Sequence, residues 1–400
     1  MTRRYLGPGE RRARLGFRHR LAPGTRAASL AEAAASTVVL HATDAASVFL
    51  QARARMAESS PEVIERELYE ERSVLRMLAM RRTLFAVPIA DVPIVHAAAS
   101  RDIAESERRR TVAMFAEGGV APDPARLLEE LEEIGLAAVR QRGEATTGEL
   151  RALDPRLDRR ITMARGKTYE GSISVATKVF FHLALDGRIG RGRPRGTWIA
   201  SQYRWTPIER WLPDGIAELP VDYARAELVR RWLGAFGPGT RADIKWWTGW
   251  TVAATRQALA AIDAAEVDLD DGETGYVLPH DLGPTEPPEP WAALLPALDA
   301  TTMGWTARDW YLGPYRQAIF DSSGNAGPTI WVDGRIVGGW AQRRSGEIVL
   351  RLLEEVGSEM RQLIDKEAAG LEAWLGPTRV TGSFPTPIEI ELRSRGVEVR

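Results

Sequence analysis

The 400-residue chain contains no cysteine. Disulfides and thiolate-ligated zinc are thereby excluded, and with them the cysteine-built zinc fingers. The same absence fits a cytoplasmic protein, which is the location expected. Long apolar runs are missing too. Nothing approaches the roughly 18 residues that a membrane span requires, so no membrane partner is expected. The N-terminus is basic but lacks the apolar stretch of a secretory signal. Net charge is almost absent, at −1, so any affinity for a polyanion must come from local clustering. Phosphate-binding glycine loops, histidine–carboxylate metal spacings and Gly-x-Ser-x-Gly elbows are all lacking. Neither a metal nor a cofactor is expected.

What is present begins with length. Four hundred residues exceed one ordinary core, and 44% hydrophobic with 27% charged residues is a globular composition. Two to four domains are expected. Charge is clustered: residues 1–26 hold eight arginines (Arg3, Arg4, Arg11, Arg12, Arg14, Arg18, Arg20, Arg26) against the single acid Glu10. Residues 188–204 hold Arg188, Arg191, Arg193, Arg195 and Arg204 and no acid. Acids gather at Glu129–Glu133 and Asp263–Glu273, and thirteen tryptophans concentrate beyond residue 197.

Gly7-Pro8-Gly9 and Pro23-Gly24 predict an extended or partly helical basic arm over residues 1–28. It is either a solvated tail or an arm lying along phosphates. Val38-Val39-Leu40 then leads into His41-Ala42-Thr43-Asp44, with a helix predicted from Asp44 to Arg55. Ser60-Pro61-Glu62 is a helix start, and apolar residues at helical spacing extend that prediction to Met80. Leu84–Pro88 is strand-like. From residue 111, helix (Ala125–Arg140), short helix (Thr147–Leu153), helix (Val175–Asp186) and a basic ribbon within Arg188–Trp198 follow the order of a winged helix. The order recurs over Tyr223–Phe236, Arg241–Trp246, Val252–Ile262 and the strand-like runs Glu266–Leu269 and Tyr276–Leu278, this time with an acidic wing. Pro284–Pro290 is a linker. Beyond it come a hairpin turning at Asp333-Gly334, a strand over Glu347–Leu353, a helix over Ser358–Leu375 and a strand over Glu389–Val399.

The predicted fold class is therefore α+β, mostly α: tandem winged helices followed by an antiparallel, barrel-like β unit. The expected divisions are 1–28, 29–110, 111–210, 211–283 and 284–400. Composition and spacing alone reach no further than a winged-helix DNA-binding protein, usually a transcription regulator.

Four segments resemble the winged-helix DNA glycosylase superfamily, with its AlkZ-like and YcaQ-like members. They are Met80-Arg81-Arg82-Thr83-Leu84-Phe85-Ala86-Val87-Pro88, Arg308-Asp309-Trp310-Tyr311-Leu312-Gly313, Phe320–Thr329 and Val332–Trp340. The resemblance implies a DNA glycosylase for alkylated or bulky-adducted purines, as in DNA repair or self-resistance to a genotoxin. It also implies double-stranded DNA as partner and, by analogy, a monomer. The superfamily's catalytic signature, Gln-x-Gln or Gln-x-Asp after an apolar run, falls here on His41-Ala42-Thr43, followed by Asp44. Both signature positions differ. His41, Thr43 and Asp44 are the candidate catalytic residues; a helix cap at Thr43 or Asp44 is the ordinary alternative. Arg188, Arg191, Arg193, Arg195, Arg204, Arg81 and Arg82 are the candidate DNA contacts.

Overall fold

In the computed structural model, residues 3–163 and 170–394 are described. Helix covers 47% and strand 18% of a mixed architecture with several small antiparallel sheets. Among the described residues, no helix is long and apolar enough to cross a membrane.

The chain opens on a helix rather than an arm: α1 spans Pro8–Arg18. Gly7-Pro8-Gly9 reads as punctuation, but Pro8 sits in the first turn, where its missing N–H is not needed. Arg11 and Arg14 are buried. Arg14 pairs with Glu10 at 3.0 Å and with Asp281 at 2.9 Å, and Arg18 reaches Asp281 at 2.7 Å. This basic start is therefore part of the core.

A short α2 (Leu30–Ala35) precedes strand β1 (Leu40–His41), helix α3 (Ala45–Arg55) and helix α4 (Pro61–Tyr69). The helix expected to reach Met80 stops at Tyr69. Arg72 turns through φ 55°, and Val74–Ala79 forms strand β2 against β3 (Thr83–Pro88). Val74, Leu75, Leu78 and their neighbours fit helical spacing, but every residue of β2 is buried, and a strand covered on both faces carries no alternation. The sheet order is β1–β3–β2. Arg81 and Arg82, at its hairpin tip, both lie in the left-handed region, at φ 55° and 60°.

A continuous helical stretch follows: α5 (Val92–Val95), a π-turn at His96–Ser100, and α6 (Arg101–Glu117). Ser100 Oγ donates to Leu78 O at 2.7 Å, and Trp250 Nε1 donates to Ala98 O at 3.0 Å. The π-turn is thus tied to β2 on one side and to a later module on the other.

A first module contains α7 (Pro124–Arg142), α8 (Thr147–Arg151), α9 (Pro155–Asp158), a hairpin of β4 (Arg160–Met163) and β5 (Gly171–Ser174), and α10 (Val175–Leu185). Thr146 caps α8, in a reciprocal box with Glu149. Strands β6 (Ile189–Pro194) and β7 (Tyr203–Pro207) close the module. The ribbon is longer than expected, with its tip at residues 195–202. A second module contains α11 (Val221–Phe236), β8 (Gly239–Thr240), α12 (Arg241–Thr248), α13 (Val252–Ala261), β9 (Ala265–Asp268) and β10 (Thr274–Val277). Its strands form a sheet in the order β8–β10–β9.

The C-terminal unit is an open sheet, not a barrel. Its strands β11 (Ala292–Leu295), β12 (Thr329–Val332), β13 (Arg335–Gln342) and β14 (Ile348–Leu352) lie in that order, with short helices α14 (Asp309–Leu312) and α15 (Arg316–Ile319) between β11 and β12. Helices cover the sheet instead of further strands. α16 (Ser358–Leu375) buries Ile364, Leu371 and Leu375, and α17 (Pro387–Ser394) buries Ile388 and Leu392. The strand expected from Glu389 is this helix. Pro387 opens it, and Ile388 and Leu392 share a face at i, i+4. Residues 395–399 of that expected strand lie outside the described residues.

Candidate active site

β1 places Leu40 opposite Ala86 and His41 opposite Phe85. Ala42 N donates to Leu84 O at 2.9 Å, after which the chain turns into α3. One buried amide holds this turn. Gln51 Oε1 accepts from His41 N at 3.3 Å and from Ala300 N at 3.1 Å. Its Nε2 donates to His41 O at 2.8 Å and to Ser47 O at 3.0 Å. All four hydrogen-bonding positions of the amide are filled, and two of them fix the backbone of His41.

One turn further along α3, Arg55 and Asp299 form an ion pair in which both side chains are 0% exposed. Nη2 to Oδ1 is 2.7 Å and Nη1 to Oδ2 is 2.9 Å, the two-pronged geometry of a strong guanidinium–carboxylate pair. Arg55 also donates to Thr301 Oγ1 at 2.8 Å, and that hydroxyl lies 2.9 Å from His19 Nδ1. The helix behind the turn is thereby bolted to α1's end and to the C-terminal unit.

The three candidate catalytic side chains share a turn but face different partners. The His41 ring packs edge-on against Phe85, with centroids 5.4 Å apart, and its Nδ1 has no hydrogen-bond partner among the described residues. Burial, then the nearby Arg81 guanidinium, lowers its pKa to about 3, so the ring is a neutral imidazole at physiological pH. Thr43 is exposed. Asp44 occupies the N-cap of α3 without capping it. Its carboxylate accepts instead from Ser383 N at 3.2 Å and from Ser383 Oγ. Among the described residues no hydrogen bond joins His41, Thr43 and Asp44 to one another. Beside Asp44 lies a chamber of about 40 Å³, lined by Ser47, Gln342, Glu389 and Arg393 among others. Glu389 is 1% exposed, and burial raises its pKa, with Arg393 opposing the shift from 2.6 Å.

Four of the five arginines around β6 have internal partners. Arg188 pairs with Glu133 at 2.7 Å, Arg193 with Glu65 and Glu70 at 3.0 Å each, and Arg204 with Glu144 at 2.9 Å. Arg191 lies 4.1 Å over the Tyr203 ring, and burial lowers its pKa to about 10. Arg195 is exposed at the tip. The glycines of β6 also have a packing role. A Cβ at Gly190 would meet Leu75 of β2 at 2.7 Å, and one at Gly192 would meet Thr206 at 2.3 Å. The ribbon is therefore folded down on the β1–β3–β2 sheet.

Arg82 pairs with Glu107 at 3.0 Å. Arg81 has no carboxylate partner among the described residues. Its guanidinium lies 4.2 Å over Trp246, and Arg308 lies 4.8 Å over the same ring. Arg308 also lies 4.6 Å from Phe320, which Arg316 approaches at 5.6 Å. Guanidinium and aromatic planes thus alternate from the hairpin tip to α15. Gly249, at φ 78°, accommodates this column, because a Cβ there would meet Arg81 Cγ at 3.1 Å. Adjacent to it a groove of about 360 Å³ is lined by Arg81, Arg82, Arg110 and Arg225, with Asp102 as its one acid.

Sequence reasoning did not single out Gln51, Arg55, Ser383, Glu389 or Trp246. Arg308 did stand in a segment that carried the family resemblance, although its stacking was not read. Ser383, Arg55 and Trp246 act through partners far along the chain, which no local pattern records.

The family model described as DNA glycosylase AlkZ-like matches residues 34–374. Among solved structures, the DNA glycosylase AlkZ of Streptomyces sahachiroi is similar, with a TM-score of 0.69 at 21% identity. The match covers 92% of this chain and 97% of that one. No curated protein matches.

Proposed function

The chain belongs to the AlkZ-like DNA glycosylase family, and from that premise we propose that it is a monofunctional glycosylase for alkylated or bulky-adducted purines in duplex DNA. The observation that carries this reading is the β1–α3 turn. It holds an exposed hydroxyl at the family's signature position and a carboxylate directly after it, on a backbone that a buried amide fixes. Preorganised charge is what an oxocarbenium-like sugar requires.

A purine alkylated at N7 or N3 is already cationic and leaves without a strong general acid. The protein needs to stabilise positive charge on the sugar and to direct a water. Asp44 is the electrostatic stabiliser and takes up the water's proton. Thr43 orients that water by hydrogen bonding. His41, held neutral by burial, serves as an acceptor or donor of hydrogen bonds and not as a base near pH 7. The chamber beside Asp44 has room for water but not for a purine. Reaction at a surface turn therefore suits a lesion too bulky to be swallowed, including adducts of a genotoxic natural product.

We read residues 124–207 and 221–277 as tandem winged helices that grip the duplex. The second has the order helix, strand, helix, helix, hairpin over a three-stranded sheet, and it presents Arg241, Lys245 and Arg256 as exposed cations. Arg81 and Arg316, both exposed and neither paired with an acid among the described residues, extend this basic face towards the turn. Arg195 is the cation of the first ribbon that is best placed to join them.

The test uses duplex DNA carrying N7-methylguanine, with base release scored as alkali-labile abasic sites. Asp44→Asn and His41→Ala are each expected to slow release by two orders of magnitude or more (~3 kcal/mol), with DNA affinity unchanged. The departure from glutamine at both signature positions favours one alternative, a non-catalytic DNA-binding protein or regulator. No release from any adduct, together with tight binding to one operator sequence, would establish it.

A further inference from the structure

Asp44 stands where a carboxylate ordinarily accepts from the first backbone N–H groups of a helix, yet both its oxygens face Ser383. Ser383 is 339 residues away, between α16 and α17, and outside the stretch 34–374 that the family model matches. The segment bearing it is anchored. Gln342 Nε2 donates to Thr378 O at 3.0 Å, Val380 N donates to Gln342 Oε1 at 2.9 Å, and Ile388 and Leu392 seat α17 in the core. Gly382 and Glu389 from the same segment line the chamber beside Asp44. The other charged side chain there is Arg393, also on α17, and it is paired with Glu389. The rest of the lining, from α3, β13 and the loops, is uncharged.

One residue that donates to both oxygens of a carboxylate removes its freedom to rotate. We propose that Ser383 is a positioning residue for Asp44, and that the C-terminal segment of this chain completes the site on the β1–α3 turn. Ser383 N and Oγ hold the carboxylate in a single orientation, with the remaining lone pairs turned to the water and the developing sugar cation. The inference rests on Asp44 serving hydrolysis as read above.

Single-turnover release of N7-methylguanine from duplex DNA by the full chain tests it. Ser383→Ala is expected to slow release by on the order of tenfold, the worth of a hydrogen bond to a charged group, while the DNA dissociation constant stays the same. Ser383→Thr, which keeps the hydroxyl, is expected to restore the rate. Thermal unfolding of wild type, Ser383→Ala, Asp44→Ala and the double variant supplies a readout that does not depend on turnover. Coupled residues give non-additive Tm shifts. A wild-type rate for Ser383→Ala beside an inactive Asp44→Asn would overturn the inference and leave the reading of Asp44 intact. So would a simple sum of Tm shifts, or a loss in Ser383→Ala that threonine does not repair. A wild-type rate for Asp44→Asn would instead remove Asp44 from the chemistry, and the inference with it.

Discussion

The histidines give this molecule a specific acid response. His41, His19 and His182 are buried, and in each case burial is the largest cause of a lowered pKa, to about 3 for His41 and about 4 for His182. In the unfolded chain each titrates near 6.5. Between the folded and unfolded values the unfolded chain binds more protons, so stability rises with pH through that window and falls as pH drops below about 6.5. The slope is at most about 1.4 kcal/mol per pH unit for each ring. Tm is therefore expected to fall between pH 7 and pH 5, and His41→Asn is expected to flatten part of that decline in a calorimetric series. An undiminished slope in the variant would mean that His41 is not buried neutral. At this scale the sequence marked His41, Thr43 and Asp44 as a group, because an apolar run followed by three polar side chains is visible locally. That the three point to Phe85, solvent and Ser383 was hidden, since those partners belong to other parts of the chain.

At the scale of elements, the β6–β7 ribbon and the β2–β3 hairpin exchange the roles that composition suggests. The ribbon region carries five clustered arginines, but Glu133, Glu65, Glu70 and Glu144 neutralise three of them and aromatic rings cover a fourth. Arg193→Ala is expected to lower stability by about 1 kcal/mol, through two half-exposed pairs, with little change in DNA affinity. The hairpin contributes fewer charges, yet Arg81 lacks an acidic partner among the described residues and joins the stack that ends at Arg316. Arg81→Ala and Arg316→Ala are each expected to reduce the slope of log Kd against log salt concentration by about 1, the signature of one lost phosphate contact. Unchanged slopes would place the duplex elsewhere. The helices of both modules apart from α9 were readable from caps and 3.6-residue spacing, and the hairpin at Asp333-Gly334 from its turn residues. β2 was not, because a strand buried on both faces has no period to read. Gly190 of β6 was equally opaque, because the side chain it makes room for, Leu75, comes from a different sheet.

For the whole molecule, α3 is the junction. Gln51 ties it to Ala300, Arg55 to Asp299 and Thr301, and Asp44 to Ser383. Arg55→Ala strands the Asp299 carboxylate at 0% exposure, and the expected loss is about 3–5 kcal/mol, measurable by urea denaturation. A loss below ~1 kcal/mol would show that water reaches the pair. The open sheet and α17 replace the barrel-like unit and final strand expected from the sequence. Only the position of helices over the sheet distinguishes those outcomes, and that position is a tertiary fact.

The Arg55–Asp299 pair also places the molecule in time. Its partners are 244 residues apart, and a ribosome adding 5–20 residues per second takes on the order of ten to fifty seconds to make that stretch. Until Asp299 is made, Arg55 has no counterion with which to be buried. The turn bearing His41 and Asp44 cannot settle against Ala300 until that residue has emerged. Whatever chemistry the turn performs is therefore withheld from the growing chain and begins only late in its synthesis.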